Sequence, residues 1–172
     1  LVEVAGDLLI DDSFFEIGSF DSGDFDGESL RAYNVGPNAL LTNFKVFKYD
    51  FSPDLNSNKV NILVDPNLDN LKIINRLVIS KGKCEGYQRG IAINTSLNSS
   101  EMIFSGHFPK SCLNYSMTRS GLSHNEFTFG LFKYLWQQLG GEFSGTWKKT
   151  KTNNQVEPIL TFESLPLSDI VK

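Results

Sequence analysis

The sequence predicts an all-β fold, a β-sandwich of immunoglobulin-like or jelly-roll topology. Short runs rich in β-branched and aromatic residues recur from about residue 40 onward, and turn residues separate them at the spacing a sandwich or barrel uses. Helical periodicity is scarce by comparison.

Taken in order, the first third is acidic and turn-rich, with Asp11, Asp12, Asp21, Asp24, Asp26 and Glu28 set among Gly18, Gly23 and Gly27. Phe44-Lys45-Val46 alternates with period two, and Phe47-Lys48-Tyr49 continues in the shifted phase. Val60, Ile62 and Val64 share one face of the next run, which Pro66 stops. Leu71 to Ser80 is a longer apolar segment ended by Gly82, followed by Ile91-Ala92-Ile93 and Met102-Ile103-Phe104. Glu126 to Trp136 has the length of a helix, but Phe127, Phe129 and Leu131 alternate, and Thr128 and Gly130 are poor helix formers. A strand is expected there. Glu142 to Trp147 and Pro158 to Phe162 complete the set of expected strands.

The chain has 172 residues, enough for one domain with a full core, and no linker or repeat divides it. Apolar residues make up 40% and charged residues 21%, which argues against disorder. A net charge of −4 disfavours a nucleic-acid partner, since phosphate binding needs a concentrated basic surface. The basic run Lys148-Lys149-Thr150-Lys151 reads as a solvated hairpin end. No apolar stretch reaches bilayer-spanning length, so no membrane insertion is expected. Leu8-Leu9-Ile10 is too short for the apolar region of a signal peptide, which places any targeting segment outside these residues.

Two cysteines, Cys84 and Cys112, fit one disulfide in an oxidising compartment or, alternatively, two buried thiols. A bond between them would contribute roughly 3–4 kcal/mol by loop closure. Asn94, Asn98 and Asn114 each open an N-glycosylation pattern, which has meaning only in a eukaryotic or viral product.

The catalytic patterns are thin. Gly106-His107-Phe108-Pro109 resembles the signature of hot-dog-fold dehydratases, but Lys110-Ser111-Cys112 follows in place of the Pro-Gly entry to a central helix, so the acid–base pair lacks its second member. His107 and His124 are too far apart for a metal-ligand pair, and no metal site is expected. Ser123-His124 would point to opposite faces of a strand, a poor arrangement for proton transfer. Asp24-Phe25-Asp26-Gly27-Glu28 is half a calcium loop whose bidentate Glu would fall on Val35, so it reads as a solvated acidic loop. These patterns predict a binding domain, with neither catalysis nor cofactor. Asn75, Asn94, Thr95, Asn114, Tyr115, Arg119 and Ser120 supply the amides, hydroxyls and ring that a shallow sugar site needs.

Three ordered segments then carry a resemblance. They are Asn75-Arg76-Leu77-Val78-Ile79-Ser80-Lys81-Gly82-Lys83-Cys84-Glu85-Gly86, Glu101-Met102-Ile103-Phe104-Ser105-Gly106-His107, and Thr118-Arg119-Ser120-Gly121-Leu122-Ser123. Together they resemble the N-acetylglucosamine-binding lectin domains of chaperone–usher fimbrial tip adhesins. Leu139-Gly140-Gly141-Glu142-Phe143-Ser144-Gly145-Thr146-Trp147 is similar to the family's penultimate strand, and Leu160-Thr161-Phe162 through Val171 to its last strand. The resemblance implies one lectin-type receptor-binding domain over 1–172, the pilin domain being absent from this chain. It places sugar-binding roles on Asn75, Asn94, Thr95, His107, Arg119, Ser120 and Gly121, with His107 where the family has Trp. It also implies a disulfide between Cys84 and Cys112. The expected partners are a host glycan receptor, a periplasmic chaperone, and a pilin domain and fimbrial subunits joined by donor-strand exchange. The expected place is the fimbrial tip at the cell surface, reached by secretion. A viral capsid or spike β-domain and the dehydratase are the rival expectations.

Overall fold

A computed structural model describes residues 2–54, 56–85, 90–95, 100–153 and 157–171. The chain runs β1 (Glu3–Val4), β2 (Leu8–Ile10), β3 (Val46–Asp54), β4 (Lys59–Asp65), β5 (Lys72–Ser80), β6 (Ile91–Thr95), β7 (Glu101–Pro109) and β8 (Tyr115–Ser120). Then come α1 (His124–Gln138), β9 (Glu142–Phe143), β10 (Trp147–Lys149) and the single turn α2 (Leu167–Ile170).

Two three-stranded sheets form the centre. One is antiparallel in the order β4-β3-β8; the other has the order β5-β7-β6, with β5 parallel and β6 antiparallel to β7. Register fixes what each face presents. Tyr49 opposes Val64 and Met117, and Phe51 opposes Ile62 and Tyr115, so the inner face of the first sheet is apolar across all three strands. Its outer face carries Lys48, Asp50, Ser116 and Thr118, with Lys48 Nζ 2.9 Å from Asp50. From the second sheet, Met102, Phe104 and Phe108 are fully buried. Tyr49 and Phe104 meet across the gap at 4.9 Å between ring centroids, and Phe51 and Phe104 at 5.3 Å. Gly106 sits where the β7 backbone meets that of Gly90; a Cβ there would lie 1.9 Å from the Gly90 carbonyl, and its φ of +105° also favours glycine.

The expected all-β sandwich is corrected by α1. Ser123 caps it: the Ser123 Oγ accepts from the Glu126 N–H, and the Glu126 carboxylate accepts from the Ser123 N–H at 2.8 Å. The alternation of Phe127, Phe129 and Leu131 arises because this helix is buried on two opposite sides. At 100° per residue, Phe127, Leu131 and Tyr134 line one face and join the core between the sheets. Phe129, Phe132 and Trp136 line the opposite face and pack with Ile10 and Phe143 in a second cluster. That cluster draws in two parallel two-stranded pairs, β1 with β9 and β2 with β10. A helix wrapped on both sides loses the one-sided apolar stripe by which helices are read from sequence.

The expected strand over Pro158 to Phe162 is also corrected: that stretch has no regular structure, and Ile159, Leu160 and Phe162 are exposed. Cys84 and Cys112 are joined in a disulfide. Among the described residues, no helix is long and apolar enough to cross a membrane.

Candidate functional site

Both three-stranded sheets end in an edge strand, β8 in one and β6 in the other. The gap between these edges is left partly open, and the segment Gly27 to Arg31 lies across it, anchored where the Ser120 N–H donates to the Leu30 carbonyl at 2.9 Å. The result is a cleft of about 600 Å³ lined by Ser29, Arg31, Ile91, Ile93, Met117 and Arg119, with Glu28 and Tyr115 also at its walls.

The segment across the cleft is held by one carboxylate. Asp26 accepts from the Tyr33 hydroxyl at 2.7 Å, the Asn34 Nδ2 at 2.7 Å and the Glu28 N–H at 2.9 Å. The Tyr33 bond foremost holds the Asp26 carboxyl below the usual range, and in turn pushes the Tyr33 hydroxyl up. The acidic loop is therefore a folded turn with its central carboxylate occupied by donors. No group of three or more His, Cys, Asp or Glu able to hold a metal occurs among the described residues.

Arg119 is the unusual member of the cleft. It opposes Phe47 in the β3–β8 register, so it lies on the apolar inner side of its sheet, in line with Met117 and Tyr115. Desolvation lowers its pKa, and the nearby Arg31 lowers it further. The guanidinium stays charged, as arginine does in proteins. Its Nη1 donates to the Thr118 carbonyl at 2.8 Å, and no carboxylate pairs with it among the described residues. Arg31 holds Glu28 at 3.3 Å.

The residues expected to share a sugar site are dispersed. Arg119 is in the cleft. Ser120 is buried beside it, tied to Leu30 through its backbone. Gly121 is packed inward, where a Cβ would lie 2.7 Å from Met102 Cε. Asn75 is elsewhere, its Nδ2 donating to the Val60 carbonyl at 2.6 Å and so linking β5 to β4. His107 is exposed on β7, Asn94 is exposed near the end of β6, and Thr95 follows it. His124 sits at the start of α1, not on a strand, with Nε2 3.0 Å from the Gly36 carbonyl, and burial lowers its pKa.

A second polar node ties the chain ends. Asp12, its side chain only 9% exposed, takes Lys149 Nζ at 2.8 Å and the amides of Asn38 and Asn125 at 3.3 Å each. In the sequence Asp12 is one of several acidic residues in the turn-rich first third, and nothing local singles it out. The run Lys148-Lys149 is likewise engaged, with Lys148 Nζ 2.6 Å from Asp7.

Two solved structures of penicillin binding protein 4 (dacB) from Haemophilus influenzae share this fold. One superposes with a TM-score of 0.66 at 15% identity, covering 89% of this chain and 33% of that one. The other, complexed with a novel beta-lactam, gives 0.58 at 13%, covering 90% and 32%. The chain thus spans about a third of these neighbours. No curated protein matches the sequence. The profile of the D-Ala-D-Ala carboxypeptidase 3 (S13) family matches residues 1–172.

That match overturns the fimbrial-adhesin resemblance and, with it, the host glycan, pilin, chaperone and donor-strand partners and the fimbrial-tip location. The Cys–Gly–Ser spacings behind the resemblance are short enough to recur in unrelated β proteins. It overturns the non-enzyme expectation as well, because the family is one of peptidases. The disulfide and the family agree with an exported protein. The chain belongs to the D-Ala-D-Ala carboxypeptidase 3 (S13) family.

Proposed function

We propose that these residues form an accessory sheet module of a cell-envelope D-Ala-D-Ala carboxypeptidase, which removes the terminal D-alanine from peptidoglycan stem peptides. The family match along the whole chain carries this reading. The distribution of motifs supports an accessory role. Serine enzymes that react with penicillin use S-x-x-K, S-D-N and K-T-G elements gathered at one centre. Ser80-Lys81-Gly82-Lys83 fits the first as a string, Ser123-His124-Asn125 approaches the second, and K-T-G does not occur in these residues.

The two strings lie at opposite ends of the central sheet. Ser80 ends β5, whereas the start of α1 is held near its beginning, where Ser100 contacts both Lys72 and Glu126. The nine residues of β5 separate them by about 25 Å at ~3.3 Å per residue. Ser123 Oγ is engaged as the helix cap.

Apolar side chains at both ends of the chain support packing against further protein in a longer carboxypeptidase. Phe14 is 85% exposed, Phe25 84% and Phe162 90%. The test is D-alanine release from a pentapeptide ending in D-Ala-D-Ala by the natural protein bearing these residues, with labelled penicillin as a second readout. Release that a β-lactam blocks is expected. A folded protein that neither releases D-alanine nor takes the label would sink the reading.

A further inference from the structure

We infer that His124 is a pH-sensitive latch: neutral, it ties the segment Gly36–Asn38 to the start of α1, and protonated, it lets that segment go. The latch goes beyond the carboxypeptidase reading and is independent of it.

The first observation is geometric. His124 is the first residue of α1 after the Ser123 cap, and its Nε2 lies 3.0 Å from the Gly36 carbonyl. A carbonyl only accepts, so Nε2 carries the hydrogen of the neutral ring and Nδ1 is bare. The Phe20 ring closes over Gly36, where a Cβ would lie 2.6 Å from it. The same stretch of chain meets α1 at further points. Asn38 and Asn125 share the Asp12 carboxylate, Thr128 Oγ1 donates to the Leu40 carbonyl at 3.4 Å, and Thr42 Oγ1 lies 3.0 Å from Thr128 Oγ1. Amides and hydroxyls keep their charge at every ordinary pH, and Asp12 stays ionised well below neutrality. Of these contacts, only the one made by His124 changes charge between about pH 5 and about pH 7.

The second observation is the set of charges around the half-buried ring. The positive end of α1 disfavours a cation on its first residue. Lys45, at the end of the left-handed turn Asn43–Lys45 that abuts α1, is near enough to repel one. Glu126 faces Lys45, and its carboxylate already serves the Ser123 N–H and the Ser100 hydroxyl. Asp12, just after β2, favours the imidazolium, as does the Gly36 carbonyl, but the Asp12 oxygens are taken up by Lys149, Asn38 and Asn125. Burial weighs most, and with Lys45 it holds the ring below its ordinary pKa. With the folded value below the unfolded one of about 6.5, the contribution to stability is whole above 6.5 and is lost as pH falls from there to the folded value. A ring that gains a proton does best by leaving its half-buried place for water, and it then gives up Gly36.

The test follows the chain by NMR from about pH 8 to about pH 4.5, a window above that of the chain-end carboxylates. It reads the His124 ring and the amides of Gly36, Asn38 and Leu40. The ring is expected to titrate below its ordinary value. The three amides should shift and lose protection, corrected for intrinsic exchange, with the same midpoint. His124→Gln keeps a donor near Nε2 and cannot titrate, so it should hold the segment across the whole range. Lys45→Met removes the nearby cation and should raise the midpoint of ring and amides together. His107, exposed on β7, is the internal control, and its titration should leave the three amides in place. The proposal is overturned if the ring titrates while the amides stay still, or if the amides respond only below about pH 4 with the carboxylates. It is overturned equally if His124→Gln leaves their response unchanged or if Lys45→Met moves neither midpoint. Should His124→Gln fail to fold, the shared midpoint and its rise in Lys45→Met decide alone.

Discussion

The two sides of α1 are built from different materials. Toward the sheets, Phe127 enters a core made of strands of five to nine residues in continuous ladders, with Phe47, Tyr49, Phe51 and Phe104 fully buried around it. On the other side, Phe129 meets strands of two or three residues gathered from the two ends of the chain. Polar ties supplement the thinner apolar contact there: Asp7 to Lys148 and Thr146, Asp11 to Thr152, and Asp12 to Lys149. Long ladders supply backbone hydrogen bonds and apolar area together. Short chain-end pairs supply little of either, so carboxylates and the helix do the gathering.

The sharpest way to break this comparison is truncation on each face. Phe127→Ala should cost about 3–5 kcal/mol and lower the unfolding midpoint of the whole molecule. Phe129→Ala should accelerate amide exchange in β1, β2, β9 and β10 while the central sheets keep their protection. Equal global loss in both variants would mean that the two clusters unfold as one.

A smaller effect tests what holds the helix in register between them. Ser123→Ala removes the cap acceptor and should cost about 1 kcal/mol in chemical denaturation, with Ser123→Asp restoring most of it. No change on capping would place the whole stability of α1 in its two packed faces.

The smallest effect is in pH. Asp7, Asp11 and Asp12 have carboxyls held below their ordinary value, chiefly by the hydrogen bonds from Lys148, Ser13 and Lys149 respectively. A depressed folded-state pKa contributes stability that is present above the unfolded value of about 3.9 and is lost as pH falls through the folded one. Protection factors at residues 8–10 and 147–150, corrected for the intrinsic exchange rate, should therefore fall as pH drops below about 4. Asp50 and Asp54 are depressed too, through Ser116 and Ser57, but their strands keep a full ladder behind them. Protection in β3 and β7 should outlast that in β2 and β10. Simultaneous loss would contradict the division.

Period-two patterns with a single buried face were legible because one burial direction leaves one readable period. Phe47, Tyr49 and Phe51, or Val60, Ile62 and Val64, carry their own register in the sequence. The signal that would have found α1 was also present, as Ser123-x-x-Glu126 ahead of an apolar run, but the alternating phenylalanines outweighed it. The cleft left no such mark. Arg119 and Arg31 are 88 residues apart in sequence, and nothing local in either neighbourhood announces the other.

The sequence by itself thus determined the strands that bury one alternating face, such as those through Phe47 and Tyr49 and through Val60 to Val64, because that pattern depends on neighbours a few residues away; it marked neither β8 nor the partners of Asp26. Tertiary structure alone decided that α1 is buried on two sides, that the chain ends meet as parallel pairs, and that two arginines face one opening. Each of these depends on surfaces brought together from distant parts of the chain, and residue spacing along the chain does not encode which surfaces will meet.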